Sequence, residues 1–318
     1  MFCGSVYYRS LQPRHLTNCY RYDKRKRPER SEEVLDVLNT GPMVFRNPHF
    51  LHEDYNRESA TLRMLGLHLD CLSYEEMHQA FDWWISNKRR PGLTVALVNV
   101  NCCVSALKDP TVFKCYEAAD IRGIDSMPFL WIARLLTGRR LDRLYAPDML
   151  LQVARRAESR PYKFFLLGGM PGAAEKIAAM LQSHYPGVDI VGTYCPPFRP
   201  MTEEEDTELV ATINSAQPDF LWVGLGSPKQ DVWILEHRYK IRGCVMVASG
   251  ATFDFFSGYI KQAPMWIRNA GVEWLFRLCH DWRRLWKRYT VYNLIFLGCF
   301  LMEIIGIKRW HATRKTRA

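Results

Sequence analysis

The chain has 318 residues, 48% of them hydrophobic, and a formal net charge of +10 at pH 7. This length accommodates one large α/β domain with extensions. The ten cysteines include no CxxC pair, which argues against a zinc site or a regular disulfide framework and favours a reducing cytosol.

The first 60 residues have little periodicity and a high density of charge, as in CYRYDKRKRPERSEE. They lack the long apolar stretch of a cleaved signal peptide. We therefore predict a poorly ordered basic leader over residues 1–60. From about Arg63 the pattern becomes regular, and we place an α/β core over residues 61–260.

The first half of the core alternates between helical and strand patterns. Residues 73–86 predict a capped helix with acidic residues in its first turn. The apolar run from Leu93 to Asn101 predicts a buried strand, and helical patterns begin at Asp109 and Met127.

The second half repeats the same alternation. Residues 163–187 read as a strand, a Gly168-Gly169 turn and a helix, and a strand over 188–195 and a helix over 201–216 follow. A last strand over 244–249 leads into a glycine-rich loop. The alternation predicts a Rossmann-like α/β fold, an open and mainly parallel sheet covered by helices.

Ligands of such sheets bind beyond the carboxyl ends of the strands. Four loops of this kind carry polar or glycine-rich residues, at 99–103, 168–172, 226–230 and 249–254.

The loop at 226–230 is the most informative of the four. The strand pattern Phe220–Leu225 breaks at Gly226, and a helical pattern follows. Ser227 is predicted as the N-cap and Pro228 as the first helical residue. A helix N-terminus of this kind binds anions, above all phosphate. Lys229 and Gln230 would add a cation and an amide, although an ordinary βα loop fits the same pattern.

The C-terminal part carries almost all of the net charge. Residues 261–318 contain twelve Lys or Arg and three acidic residues, which indicates a polyanionic partner such as nucleic acid, anionic lipid or a phosphorylated substrate. Within it, Val291–Ile307 is an apolar segment flanked by basic clusters and aromatic residues. We predict a basic helical appendage with a membrane-embedded or interfacial helix; a full crossing is not favoured.

Known catalytic motifs are absent. The sequence has no Walker A loop, no GxGxxG and no HExxH, GxSxG or kinase signature. A nucleotide- or phosphate-binding sheet with unassigned chemistry remains. Four acids lie near strand or loop junctions, although each alone more often has a structural role such as capping a helix: Asp120, Asp125, Asp148 and Asp254.

Five blocks, in order, resemble the WecG/TagA/CpsF glycosyltransferases (glycosyltransferase family 26). They begin at LRMLGLHLDCLSYEEM, ADIRGIDSMPFLWIARLLTG, FLLGGMPG, PDFLWVGLGSPKQDVWI and ATFDFFSGYIKQAPMWIRN. The resemblance covers about Leu62 to Tyr289. A strand-end motif of the family, TxN-x-E, resembles residues 99–103: Asn101 is retained, whereas Asn99 and Cys103 replace the usual Thr and Glu. In the second block, Ser126 replaces the usual Gly.

The resemblance implies an inverting transfer of a sugar from a UDP-linked donor to a polyprenyl-diphosphate-linked acceptor at the cytoplasmic face of the plasma membrane. No cofactor and no metal are expected; the sequence contains no Asp-x-Asp. N-acetylmannosamine, its uronic acid, glucose and glucuronic acid remain open as donor sugars, and a homo-oligomer remains possible.

The resemblance also assigns residues. Asp125 matches the proposed catalytic base, and Asn101 would orient a sugar hydroxyl. Residues expected to hold the nucleotide sugar are Gly168, Gly169, Gly226, Ser227, Pro228, Lys229, Gln230 and Asp254. Arg277, Arg284 and Lys287 would meet a diphosphate, and helical spacing places Arg288 on one face with Arg277 and Arg284.

Two other function classes stay open. One is another nucleotide-using enzyme, such as a dehydrogenase or an epimerase, against which the missing dinucleotide fingerprint argues. The other is a non-catalytic, nucleotide-sugar-binding membrane scaffold. Nucleic acid is not expected as a partner, because no recognised motif accompanies the basic charge.

Overall fold

The computed structural model describes residues 44–47, 59–86 and 91–307. Most of the predicted leader and the end of the appendage lie outside these ranges. Within the leader, residues 44–47 form a strand at the edge of the sheet. The predicted domain boundaries themselves stay predictions.

In the described ranges, nine strands form a single sheet. Its spatial order is β1-β2-β3-β5-β4-β9-β8-β6-β7; β1, β2 and β3 pair antiparallel, and every other pairing is parallel. The fold is therefore a Rossmann-like α/β fold, as predicted. The strands are β1 Val44–Asn47, β2 Ser59–Met64, β3 Leu67–Cys71, β4 Leu93–Val98, β5 Ile121–Ile124, β6 Tyr162–Gly168, β7 Val188–Tyr194, β8 Phe220–Gly224 and β9 Val245–Ala248.

Helices cover both faces of the sheet. In the core they are α1 Tyr74–Ser86, α2 Val100–Lys108, α3 Pro110–Ala118, α4 Met127–Thr137, α5 Ala146–Arg156, α6 Ala173–His184, α7 Glu203–Ala216, α8 Lys229–His237 and α9 Ala251–Phe256. In the appendage they are α10 Met265–Asn269, α11 Glu273–His280, α12 Trp282–Trp286 and α13 Tyr292–Ile304, with a π-helical turn at Lys287–Val291.

The central strands β4, β5 and β9 are buried on both faces, as their continuous apolar runs predict. In β8, Phe220 and Trp222 pack into the cluster beneath α1, α5 and α6. Their neighbours Leu221 and Val223 point to the opposite face and pack with α7 and α8. This alternation follows from the two-residue period of a strand.

Three local predictions at the strand ends are wrong. The strand from Leu93 ends at Val98, because the Asn99 side chain accepts the backbone N–H groups of Asn101 and Cys102 and so caps α2. Ser227 is not the N-cap: α8 begins at Lys229, with Pro228 in the cap position. Asp254 lies in the first turn of α9 and not in a loop.

The apolar segment of the appendage packs on the core along one side. Phe296 of α13 is buried in the cluster formed with α2 and α4, and Tyr292, Ile295, Cys299 and Phe300 pack around it. Glu303, also buried, pairs with Arg63 of β2 at 3.2 Å and accepts the backbone N–H of Leu65. No helix within residues 59–86 and 91–307 is both long and apolar enough to cross a membrane.

Candidate active site

The candidate site lies at the carboxyl edge of the parallel strands. Asp125 follows β5, and its backbone N–H donates to the Val98 carbonyl at the end of β4, at 2.9 Å. This bond brings Asp125 beside Asn99. The predicted base therefore lies next to the first residues of α2.

Two side chains hold the carboxylate of Asp125. Arg143 lies 3.2 Å from Oδ1 through both Nε and Nη2, and Asn99 donates from Nδ2 to Oδ2 at 3.4 Å. Asn99 thus has two functions, since its oxygen caps α2. The Asp125 side chain remains 16% exposed and stays accessible to a ligand.

The appendage closes on the same cluster. Glu273 at the start of α11 pairs with Arg143 Nη1 at 3.1 Å and accepts the Tyr145 hydroxyl at 2.7 Å. Gln262 donates to the Tyr145 oxygen at 3.3 Å. Arg143, Tyr145 and Glu273 were not among the predicted site residues. Only the tertiary fold brings them to Asp125, and none of them lies in a motif that signals this contact.

The surroundings of Asp125 bring its pKa close to neutral pH. Burial is the largest influence and raises the pKa of Asp125 to about 6; Arg143 and Asn99 oppose this rise, whereas Glu273 adds to it. The two carboxylates raise the pKa of Arg143, which therefore stays charged. A carboxyl group with such a pKa can accept a proton at neutral pH.

The loop between β8 and α8 is fixed by Gln230. Its Oε1 atom accepts the backbone N–H of Gly226 at 3.1 Å and that of Gly250 at 3.0 Å, and the side chain is buried. The amide oxygen of Gln230 therefore joins two loops of the site. Lys229 is exposed beside it.

The glycines at the ends of β6 and β8 permit a close approach of the two loops. A Cβ atom on Gly168, whose φ is +118°, would lie 2.6 Å from the backbone of Gly224. A Cβ atom on Gly224 would lie 2.3 Å from the Phe253 ring. Packing alone thus requires glycine here, in addition to any role of Gly168 and Gly169 toward a ligand.

Asn101 and Asp254 approach the same edge from two helices. Asn101 lies in the first turn of α2, and its Oδ1 atom is buried with no hydrogen-bond partner in the described part of the chain. Asp254 lies on α9, after Gly250. Sequence reasoning placed both residues at strand ends, and the structure places them in the following helices.

The basic residues of the appendage do not share one helix. Asp281 separates α11, which carries Arg277, from α12, which carries Arg284. The prediction of one common helical face is therefore wrong. Arg277 stacks over the Phe255 ring at 5.3 Å, and Lys287 and Arg288 lie in the π-helical turn.

No group of three or more His, Cys, Asp or Glu side chains within residues 59–86 and 91–307 is arranged to hold a metal ion. The assignment of no metal stays a prediction.

Comparison with known proteins identifies a family to which the chain belongs. The model of the Glycosyl transferase WecG/TagA/CpsF family matches residues 62–309. The chain is similar to an N-acetylglucosaminyldiphosphoundecaprenol N-acetyl-beta-D-mannosaminyltransferase of Bacillus subtilis (strain 168), with 29% identity over 199 residues, 62% of this chain and 75% of the relative.

A protein of the same name from Staphylococcus aureus (strain MW2) aligns over more of the chain. The identity is 24% over 251 residues, which are 79% of this chain and 94% of the relative. The family match, over residues 62–309, covers β3 to β9, the candidate site and most of the appendage.

Proposed function

Because the chain belongs to the WecG/TagA/CpsF family, it is a glycosyltransferase, and we propose that it transfers N-acetylmannosamine from UDP to N-acetylglucosamine on a polyprenyl diphosphate. The names of its relatives support this choice among the donor sugars that the sequence leaves open. The observation that carries the proposed transfer chemistry is Asp125, a partly exposed carboxylate at the sheet edge whose pKa is raised to about 6.

In the proposed reaction Asp125 acts as the general base. Its carboxylate takes the proton of the acceptor hydroxyl while the hydroxyl oxygen bonds to the anomeric carbon of the donor. The bond from that carbon to the β-phosphate oxygen breaks, and UDP leaves with the electron pair. One displacement at one carbon inverts its configuration. Arg143 and Asn99 keep the carboxylate oriented, and Asn101 would orient a sugar hydroxyl.

The departing diphosphate requires positive charge. The loop from Gly226 to Gln230 ends at the N-terminus of α8 and carries the exposed Lys229. Arg277, Lys287 and Arg288 lie on the appendage that closes over the site, and Arg284 belongs to α12 of the same appendage. The Nε atom of Arg277 is buried with no partner among the described residues.

We also propose that α13 lies in the plane of the membrane at its cytoplasmic face. Four apolar side chains, spaced three or four residues apart, form an exposed row on the side opposite the core: Leu294 65%, Leu297 51%, Leu301 50% and Ile304 55% exposed. Trp282 and Trp286 extend the exposed apolar surface toward the basic turn. This exposed apolar row would be buried in the membrane interface, which favours binding.

Mass spectrometry of the reaction product tests the function. The enzyme is incubated with UDP-N-acetylmannosamine and an N-acetylglucosaminyl diphosphate polyprenol. We expect a product heavier by one N-acetylhexosamine residue. Donor binding without any transfer to this acceptor or to its analogues would support the non-catalytic scaffold instead.

Flotation with vesicles that contain anionic lipid tests the membrane proposal. The double variant L297S/L301S removes two members of the exposed row, and we expect it to lose most vesicle binding. The control variant L135S removes a leucine of α4 that is 84% exposed and lies outside this row. Equal binding by the double variant and the wild type would overturn the in-plane orientation.

A further inference from the structure

A second buried carboxyl group lies beneath the loop from Gly226 to Gln230. Asp231 is in the first turn of α8 and is only 8% exposed. The Tyr116 hydroxyl, on the fully buried side chain of α3, lies 3.4 Å from Asp231 Oδ2 and 3.1 Å from Ser227 Oγ. The Ser227 hydroxyl also hydrogen-bonds the Asp231 carboxyl group, so the chain of hydrogen bonds from Asp231 to the loop has one direct link and one link through Tyr116.

Three other polar groups lie close enough to Asp231 to interact with its charge. Cys102 of α2 and Cys115 of α3 face it, and Arg288 of the appendage attracts its charge. Burial raises the pKa of Cys102 to about 11 and of Cys115 to about 12, and it raises the pKa of Tyr116 well above its usual range. These three groups therefore keep their protons at neutral pH.

The number of protons in this chain sets the direction of its hydrogen bonds. If Asp231 is ionised, its carboxylate accepts hydrogen bonds from the Tyr116 O–H and from the Ser227 O–H, so the Ser227 proton points into the protein. If Asp231 is protonated, its O–H donates to Tyr116, and Tyr116 donates to Ser227. Only in the second arrangement is the Ser227 proton free to point out of the protein.

We propose that Asp231 and Tyr116 are positioning residues that turn the Ser227 hydroxyl into a hydrogen-bond donor for a phosphate oxygen of the nucleotide-sugar donor. This inference rests on the proposed function, because it assigns the loop to that ligand. Asp231 does not touch the ligand itself; it acts through Tyr116 and Ser227.

The pKa of Asp231 makes the affinity for the donor depend on pH. Burial is the largest influence and raises the pKa of Asp231 to about 7, while Ser227, Tyr116 and Arg288 act against it. Asp231 is therefore protonated at lower pH and loses its proton as the pH rises through about 7. The affinity for the donor falls over the same interval, because the loop loses one hydrogen bond to a charged phosphate.

The test is the dissociation constant of UDP-N-acetylmannosamine, measured by calorimetry at about pH 6 and about pH 8.5. The phosphodiester groups of this probe do not titrate in that range. For the wild type we expect an affinity about tenfold weaker at the higher pH. In Asp231→Asn the amide N–H₂ donates to Tyr116 at every pH, so the affinity stays at the level of the wild type at low pH.

Two more variants separate positioning from general destabilisation. Ser227→Ala removes the donor group, and its affinity should be weak and independent of pH. Glu236→Gln is the matched control, because Glu236 lies on the same helix and burial raises its pKa to about 6. This variant should keep the pH dependence of the wild type.

The outcomes distinguish the inference from the function on which it rests. If Asp231→Asn or Ser227→Ala keeps the pH dependence of the wild type, the relay is wrong and the donor site stands. If the wild type does not bind the probe even at about pH 6, both the donor site and the relay are overturned.

Discussion

Asp125 directly follows β5 and Asp231 lies in the first turn of α8, and burial raises the pKa of both, to about 6 and about 7. Their partners differ. Asp125 has a guanidinium group at 3.2 Å, whereas Asp231 contacts the hydroxyl of Tyr116. A neighbouring cation thus keeps Asp125 ionised to lower pH. Burial is thus the main reason that both carboxyl groups have raised pKa values, and their different partners fit the different tasks that we propose for them.

Replacement of each residue by asparagine should give the largest difference in turnover number between the two sites. Asp125→Asn removes the proposed base, so we expect the turnover number to fall about 10²- to 10⁴-fold. Asp231→Asn should change the turnover number less than about threefold, because Asp231 acts only through the donor loop. Turnover and donor affinity are measured for both variants, and equal losses of turnover would contradict the division of tasks.

Removal of the Arg143 cation should raise the pKa of Asp125 toward that of Asp231. In Arg143→Met the carboxylate loses its opposite charge, so its pKa rises and the activity limb of kcat/KM against pH moves to higher pH. At about pH 7 we expect the rate to fall about tenfold. The measurement is the full pH profile, since a loss of folding alone would lower the rate without moving the limb.

Arg143→Lys serves as the rescue variant, because it restores the charge without the planar group. Arg140→Met is the matched control on an exposed arginine of the same loop. A limb at the wild-type position in Arg143→Met would show that Arg143 does not set the pKa of Asp125.

Stability against pH gives the smallest effect. The folded-state pKa of Asp231 lies above its ordinary value, so its stabilising contribution is present below about pH 4 and is lost as the pH rises through about 7. Asp231→Asn should therefore raise the melting temperature by about 2 °C or more at about pH 8.5, relative to any difference at about pH 4. If the melting temperatures of Asp231→Asn and the wild type differed equally at both pH values, the raised pKa of Asp231 would be contradicted.

The sequence predicted the features that depend on local pattern. The alternation of strands and helices is confirmed, whereas two of the four predicted loops, at 99–103 and 249–254, are largely the first turns of α2 and α9. The direction of the hydrogen bonds around these loops could not be predicted. Ser227 was predicted to cap α8, but it does not. Its hydroxyl contacts Tyr116, which lies 111 positions earlier in the chain.

Long-range pairs explain the other differences. Arg143 and Glu273 meet across 130 positions, so no local motif could place them at Asp125. The apolar segment at 291–307 predicted an interfacial helix from its composition. Its docked side depends on Glu303, which pairs with Arg63 from the opposite end of the described chain. Composition predicts that a segment is apolar, but tertiary contacts decide which side is covered.

The most direct test of Asp125 as the base is the single-turnover rate of sugar transfer with saturating UDP-N-acetylmannosamine, measured against pH. We predict that the rate rises with pH through about 6 and then levels off, and that Asp231→Asn retains this limb. In Asp125→Asn the limb should be absent and the remaining rate low. A limb of the same position and height in Asp125→Asn would contradict the assignment of Asp125 as the base.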